Sequence, residues 1–370
     1  MTIATSAIMV NALSAAQQMS SPSDSSLAIS MARARWLLVM STAMACRMSL
    51  SQRGMHRVSF VSLRKTRFDE SEGRRVAMHI HHHLYHFIYP FIPGAILLEI
   101  LYFGVIQHRS YPFLEMFASI VIWILRMPVR LLRPLIVAPI GYFLWTHRVS
   151  TIPLDGPWGL LLLFLGTELT YYWMHRASHE VRWLWASHVV HHTPEHIHLA
   201  SAFRLGATEL FSGGWLFHLP LYWLGFNPLA VSGMLSVNLF YQFWLHTDLI
   251  GRLGPLEWIF NTPSHHRVHH ASNPEYVDRN YGGILIVWDR LFGTFAQEES
   301  HTPITYGLVH PIGSSNPLKI LFHEWIAMGR DFVRARTARE RVRQLFGRPA
   351  DSLAGAMARS PRQAMALGAD

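Results

Sequence analysis

The chain has 370 residues, of which half are hydrophobic and only 15% are charged, against about 25% in an ordinary soluble domain. Its 24 histidines contrast with a single cysteine, Cys46, which excludes an internal disulfide and thiolate-ligated zinc or iron–sulfur sites. The net charge of +9 comes from the ends: residues 1–75 carry six excess positive charges and residues 311–370 carry five, whereas residues 76–310 carry two excess negative charges. Basic flanks around a hydrophobic middle favour contact with anionic lipid headgroups over nucleic-acid binding, because no nucleic-acid-binding module accompanies the charge.

The first segment, residues 1–77, is predicted to be a disordered extension, because it is rich in Ser, Ala, Met and Arg without a sustained period. Its apolar stretch Trp36–Ala45 is too short to cross a bilayer, and the preceding Arg33 and Arg35 are typical of a signal-like segment. We favour the alternative that translation begins near Met78. Residues 78–310 are then the predicted catalytic domain, and residues 311–370 a basic helical tail that is partly disordered.

Apolar runs follow one another through the predicted catalytic domain. The histidines of residues 79–86 lack helical spacing and precede the first run, so we expect them at a surface near lipid headgroups. Phe87–Gln107, with Glu99 as its one charged residue, predicts a transmembrane helix. Pro112–Met127 and Leu131–Trp145 predict two separate helices, in a hairpin or at the interface, because prolines interrupt them.

Three further runs place the histidines. Trp158–Trp173 predicts a span that continues directly into His175. Leu210–Phe226 and Leu229–Leu245 predict a helical hairpin that turns at Gly225–Pro228 and returns to the same side. Every histidine group then lies on one face of the membrane, which the arginines of the loops indicate is the cytoplasmic face.

Histidines at helical spacing carry the chemistry. Residues three or four apart share a helix face, which groups His175 with His179 in one segment and three histidines in each of two others: His188, His191 and His192, and His266, His269 and His270. For the third group we expect a helix that Asn261 or Thr262 caps, with Pro263 in its first turn and its end at Asn273–Pro274. Eight imidazoles fit a two-metal site better than a single structural ion, which usually takes four ligands.

Three interpretations compete for these groups. Hydrogen-bonded surface histidines are disfavoured because the spacing recurs in three segments. A zinc hydrolase is disfavoured because no HExxH motif is present: Val181, Arg182 and Trp183 follow the His179–Glu180 pair. We prefer a binuclear iron site that activates O₂, because a C–H bond in a lipid offers no group for acid–base attack.

The motifs HRASH, HVVHH and HRVHH resemble the HxxxH…HxxHH…HxxHH signature of the fatty acid hydroxylase/sterol desaturase superfamily of membrane di-iron oxygenases. The resemblance covers roughly residues 85–310. The stretches TELTYYWMHRASHE and YQFWLHTDLIGRLGPLEWIFNTPSHHRVHHASNPEYVDRNYGGILIVWDRLFGTF are most similar to the alkylglycerol monooxygenases of that superfamily. The resemblance implies that the eight grouped histidines are metal ligands, and it adds His246 as a ninth.

The resemblance also implies roles around the metal. Glu180 matches a glutamate that orients a ligand or binds a cofactor, and it is the candidate catalytic residue. Glu168 stands where the family usually has aspartate. Together with His265, Asp278 and Asn280, it is a candidate partner of the ligand imidazoles.

The expected fold is therefore all-α: a multi-pass helical membrane protein with a cytosol-facing cap that holds a histidine-rich di-metal site. The expected function is O₂-dependent hydroxylation of a membrane lipid, with an ether lipid favoured through the resemblance. That subclass implies tetrahydrobiopterin as reductant, whereas most other members use an electron-transfer protein. The alternatives are a sterol, fatty-acyl or carotenoid hydroxylase or desaturase and, from another class, a non-catalytic lipid-binding membrane protein.

Overall fold

The computed structural model describes residues 90–349, so the predicted N-terminal extension and the histidines of residues 79–86 lie outside it. The described part is helical, with two isolated antiparallel bridges and no strand, which confirms the all-α prediction for these residues. The α-helices are α1 Phe91–Leu101, α2 Phe113–Thr146, α3 Pro157–Glu180, α4 Arg182–His188, α5 Glu209–Ser212, α6 Leu219–Leu224, α7 Pro228–Phe243, α8 Pro263–His269, α9 Val287–Phe292, α10 Pro317–Arg334 and α11 Ala338–Phe346.

Helix α2 corrects the prediction of two separate helices at Pro112–Met127 and Leu131–Trp145. It is one helix of 34 residues with Pro128, Pro134 and Pro139 inside it. Each proline removes one backbone hydrogen bond but leaves the rest of the ladder. The packing of α2 against α6, α7 and α10 stabilises the helix on both sides of these positions.

The predicted hairpin is confirmed at its turn but is wrong in its first arm. Gly225 has a φ of 122°, a conformation that favours glycine, and α7 starts at Pro228. In place of one helix over Leu210–Phe226, the chain forms α5, a 3-10 segment over Gly214–His218 and then α6. The left-handed Gly213, with a φ of 84°, ends α5 and causes the break.

Three apolar cores surround the histidine segments, and the smallest contains Val268 of the third segment. The largest includes Trp145, Leu163, Tyr222 and Val231, and joins α2, α3, α6 and α7. The second packs Ile122 and Ile320 with the residues around Val189–His192, so that α10 covers the second histidine segment. These cores hold the histidine-bearing elements at fixed positions.

Among the described residues, no helix combines the length and the apolarity that a bilayer crossing requires. Multi-pass insertion therefore stays a prediction.

Candidate metal centre

The predicted histidine segments start from helical elements. Helix α3 continues through His175 and His179, which lie four residues apart on one face, and both are buried. Helix α8 starts at Pro263 as predicted, but the Thr262 side chain makes no capping hydrogen bond and donates instead to Glu257. The α8 helix ends at His269, earlier than the predicted Asn273–Pro274.

All nine predicted metal ligands lie together in two groups, within each of which the candidate ligand atoms are no more than 4.8 Å apart. The first group has five members and the second has four. They are His175, His179, His188, His192 and His269 in the first group, and His191, His246, His266 and His270 in the second.

The doubled histidines connect the two groups. In the HVVHH segment, His192 belongs to the first group and His191 to the second; in HRVHH, His269 belongs to the first and His270 to the second. Each pair of adjacent histidines therefore contributes one ring to each group. The motif spacing thus builds two neighbouring sites, which corrects the assumption that each triplet shares one face.

The contact between His191 and His246 in the second group is not a hydrogen bond between neutral rings. His191 donates its Nδ1–H to the Arg204 carbonyl (3.2 Å), and His246 donates its Nδ1–H to the Gln242 carbonyl (2.7 Å). Each neutral ring therefore carries a lone pair on Nε2. These two Nε2 atoms lie only 3.2 Å apart. Two lone pairs at this distance repel each other, and a cation between them makes the arrangement favourable.

The first group has the same character. His175 donates its Nδ1–H to the Tyr281 carbonyl (2.8 Å), and its Nε2 lies 3.0 Å from that of His188. Among the residues that the structure describes, the buried Nε2 atoms of His179 and His269 have no hydrogen-bond partner. A buried acceptor without a partner costs about 1–3 kcal/mol, which a bound metal ion would remove.

The Nε2–Nε2 distances fit transition-metal coordination. Neighbouring rings in both groups place these atoms 3.0 to 3.2 Å apart. With metal–nitrogen bonds of about 2.1 Å, these distances correspond to angles of about 90° to 100° at the metal, below the tetrahedral angle of about 109°. An all-nitrogen donor set with such angles suits an ion of higher coordination number than structural zinc.

Burial keeps the imidazoles in the form that binds metal. Desolvation, followed by the nearby histidines, lowers the pKa of His191, His192, His266 and His270 well below the usual range. These rings are therefore neutral at physiological pH. If the metal ion left, protonating one of these buried rings would therefore cost considerable free energy.

Loops supply three of the four carbonyls that orient the rings, and helix α7 supplies the fourth. The Arg279 carbonyl accepts a hydrogen bond from His269 Nδ1 at 2.9 Å. Arg279 lies between two residues in the left-handed conformation, Asp278 (φ 61°) and Asn280 (φ 57°). Asp and Asn tolerate this conformation better than most residues. The Asp278 carboxylate lies 3.5 Å from His179 Nδ1, whereas the Asn280 side chain binds the backbone of His265 and Ala296 and contacts no imidazole nitrogen.

Glu168 acts on the backbone rather than on an imidazole. Its buried carboxylate accepts the backbone N–H groups of Ile284 and Leu285 (2.8 and 2.9 Å) and a side-chain hydrogen bond from Asn238. This loop follows Tyr281, whose carbonyl orients His175. Glu168 therefore positions the loop behind the first group.

Glu180 and His265 lie outside both groups. The Glu180 carboxylate is half-buried and accepts a hydrogen bond from Arg176 at 3.0 Å. His265 is fully buried, with its Nε2 4.0 Å from Glu257. A packing role for His265 agrees with this position.

A buried polar network near the second group was missed from the sequence. Glu99 accepts hydrogen bonds from the Tyr111 hydroxyl (2.9 Å), the Leu199 backbone N–H (2.9 Å) and the hydroxyl of Thr247, the neighbour of His246. The Tyr111 hydroxyl also contacts His198 Nδ1 at 3.2 Å. The sequence signal for this network was Glu99 itself, the one charged residue of the first apolar run, because a buried carboxylate needs hydrogen-bond partners.

The segment that holds the histidine groups is similar to a known protein family. Residues 160–294, which include all nine grouped histidines, match the fatty acid hydroxylase family model. These residues form a fatty acid hydroxylase domain. The hydroxylase domain confirms the family resemblance read from the three motifs.

Relatives of the hydroxylase domain act on lipids by name. The chain is 42% identical over 207 residues to alkylglycerol monooxygenase of Homo sapiens (56% of this chain and 46% of that protein) and 47% identical over 189 residues to that of Danio rerio (51% and 42%). It is 36% identical over 129 residues to the ornithine lipid hydroxylase OlsE of Rhizobium tropici (35% and 39%). The chain thus spans less than half the length of these relatives. No solved structure matches it significantly.

Proposed function

We propose that this chain is an O₂-dependent lipid monooxygenase whose two histidine groups hold a pair of iron ions. The observation that carries the proposal is the pair of adjacent all-imidazole groups of five and four rings, in which every ring but the half-buried His188 is buried. Binuclear sites hold their ions about 3.5–4 Å apart. This short separation suits two groups in which neighbouring residues, such as His191 and His192, supply ligands to different ions. An iron pair supplies the O₂ activation that an unactivated C–H bond requires.

The chain's own residues hold and shield the proposed site. Backbone carbonyls fix the tautomers of four rings, so that each presents Nε2 to a metal. Trp185 packs against His179 and His192 and reduces the access of water to the first group. Glu180 follows His179 and lies at the partly exposed edge, where we assign it to orienting a ligand or binding the reductant.

The named relatives favour an alkylglycerol ether lipid as substrate, with tetrahydrobiopterin as reductant; an electron-transfer protein is the alternative donor. The rival substrates are sterols, fatty-acyl lipids and carotenoids, and the reaction on these is hydroxylation or desaturation. We place the enzyme in a membrane with its metal site on the cytoplasmic side. The apolar runs and the loop arginines support this location.

Two assays test the proposal. Lipidomics of a deletion strain grown in air should reveal an accumulating substrate, and the purified protein with iron, O₂ and tetrahydrobiopterin should oxidise an alkylglycerol. Accumulation of a sterol or acyl lipid with no alkylglycerol turnover would refute the ether-lipid substrate. If the lipids of the deletion strain are unchanged and none of these substrates is oxidised, the proposal that the chain is a lipid monooxygenase is refuted.

Ligand substitutions test the assignment of the histidines. His191→Ala and His269→Ala, one from each group, should each abolish oxidation while the protein still inserts into the membrane, because each removes a nitrogen ligand. Glu195→Ala, at an exposed position in the following loop, is the control and should retain activity. Retained turnover in either histidine variant would overturn the assignment.

A further inference from the structure

Helix α10 presents two different surfaces besides its buried face. Four large apolar side chains are exposed at Leu318 (57%), Phe322 (40%), Ile326 (57%) and Val333 (77%). At 100° per residue these positions fall within an arc of about 80°. The buried Ile320 lies on the opposite side of this helix and packs against the second histidine segment. The exposed apolar stripe is therefore additional to the face that the core uses.

The exposed charge of α10 is entirely positive. Lys319, Arg330 and Arg334 are exposed, and at 100° per residue they occupy the arc directly beside the apolar stripe. The two acids of the helix face inward, where Glu324 and Asp331 pair with the buried Arg182 at 2.7 and 2.9 Å. No acid of α10 therefore offsets the basic stripe.

Helix α11 repeats this pattern. Val342 (58%) and Phe346 (56%) are exposed four residues apart, and the exposed Arg339 and Arg343 lie to the same side of them. The α11 acid, Glu340, belongs to the helix N-terminus, where it accepts the backbone N–H groups of residues 336 and 337. Both C-terminal helices thus combine an exposed apolar stripe with a basic one.

We propose that α10 and α11 form a docking surface for an anionic lipid bilayer. An apolar stripe beside a basic one fits the boundary between acyl chains and phosphate headgroups, into which interfacial helices insert their apolar face. Basic side chains next to that face bind the phosphates. A zwitterionic membrane or a protein surface without acidic groups would leave the basic stripe uncompensated.

Arg182 links this surface to the metal centre. It lies in α4, six residues before His188, and its guanidinium is fully buried between α10 and α11, where it also donates to Gln344 at 3.0 Å. Lipid docking by the two helices therefore sets the orientation of the histidine groups relative to the bilayer. Both helices lie outside the family-matched residues 160–294, so this surface is a separate feature of the chain.

An environment-sensitive fluorophore tests the surface. Cys46 is the one cysteine, so a Cys46→Ser background with Val333→Cys carries a single nitrobenzoxadiazole label on the apolar stripe of the full-length chain. In nanodiscs that contain phosphatidylglycerol, the emission should shift to the blue relative to phosphatidylcholine nanodiscs. Each basic residue near an anionic surface strengthens binding about fivefold, so Lys319→Glu with Arg330→Glu should weaken docking at least about 25-fold and abolish the shift.

Arg252→Glu reverses an exposed charge on another segment and is the matched control, which should keep the shift. Metal content should be unchanged in all variants, because none of these side chains contacts the histidine groups. Identical spectra in the two nanodisc types, or a shift that survives the double reversal, would overturn the proposal. A label that responds to protein concentration in detergent, together with a dimeric mass, would overturn it in favour of a second copy on this stripe. The readout is independent of catalysis, so it stands apart from the proposed function.

Discussion

Gly283→Ala tests how the loop behind the first histidine group is held. A Cβ at residue 283 would lie 2.0 Å from Asn238 Nδ2 and 2.9 Å from its Cγ, which is closer than real contacts allow. The Asn238 side chain must therefore move, although it donates to Glu168 and accepts from Gln242 (2.6 Å). The φ of Gly283 is not in the left-handed region, so the effect is steric.

The expected destabilisation has two parts. Overpacking in a buried site costs about 1–3 kcal/mol. Loss of the Asn238 hydrogen bond to the Glu168 carboxylate adds about 1.5–3 kcal/mol, because that acceptor is ionisable and buried. Together, the two parts should lower the free energy of unfolding by roughly 2.5–6 kcal/mol. The loop should also shift, and iron affinity should fall because the Tyr281 carbonyl no longer orients His175.

The assays are chemical denaturation and iron titration of the purified protein. Gly251→Ala is the matched control, since nothing lies within 4 Å of a Cβ at that position. A Gly283→Ala protein with the stability and iron affinity of the control would refute the role assigned to this contact.

Three further predictions concern the same region. His246→Ala leaves three rings in the group of four and should lower the iron content from two ions per chain to about one. His188→Ala leaves four rings in the group of five and should lose less iron. Equal losses of iron would contradict the division into two groups. Tyr111→Phe removes a hydrogen-bond donor to the buried Glu99 and should lower the free energy of unfolding, measured by chemical denaturation, by about 1–3 kcal/mol. Tyr276→Phe is the control and should cost less, because the Tyr276 hydroxyl only accepts a hydrogen bond from the backbone N–H of Glu299. Chelation of the iron should lower the melting temperature, and an unchanged value would mean that the ions do not stabilise the fold.

Much of the site could be predicted because it depends on local spacing. His175 and His179 on α3 are four residues apart and fall in one group, as do His266 and His270 at the end of α8. The doubled histidines also follow from spacing, since adjacent residues on a helix diverge by about 100° and can serve two ions. The spacing of the doubled histidines could therefore have predicted a division into two groups, but the sequence analysis kept each triplet together.

Other features depend on contacts between distant segments. The Arg204 carbonyl that orients His191 has no sequence signal, because any residue can supply a carbonyl there. The continuity of α2 through Pro128 and Pro134 comes from packing against helices that follow later in the chain. Glu168 was expected to partner a ligand imidazole, but its buried carboxylate accepts hydrogen bonds from backbone N–H groups more than a hundred residues away.

Metal analysis of the purified full-length protein tests the central claim most directly. Elemental analysis after gentle purification should give two iron ions per chain, and X-ray absorption should give a nitrogen-dominated shell at about 2.0–2.2 Å. Fewer than one iron or other transition-metal ion per chain would contradict the claim that these histidines hold a binuclear centre.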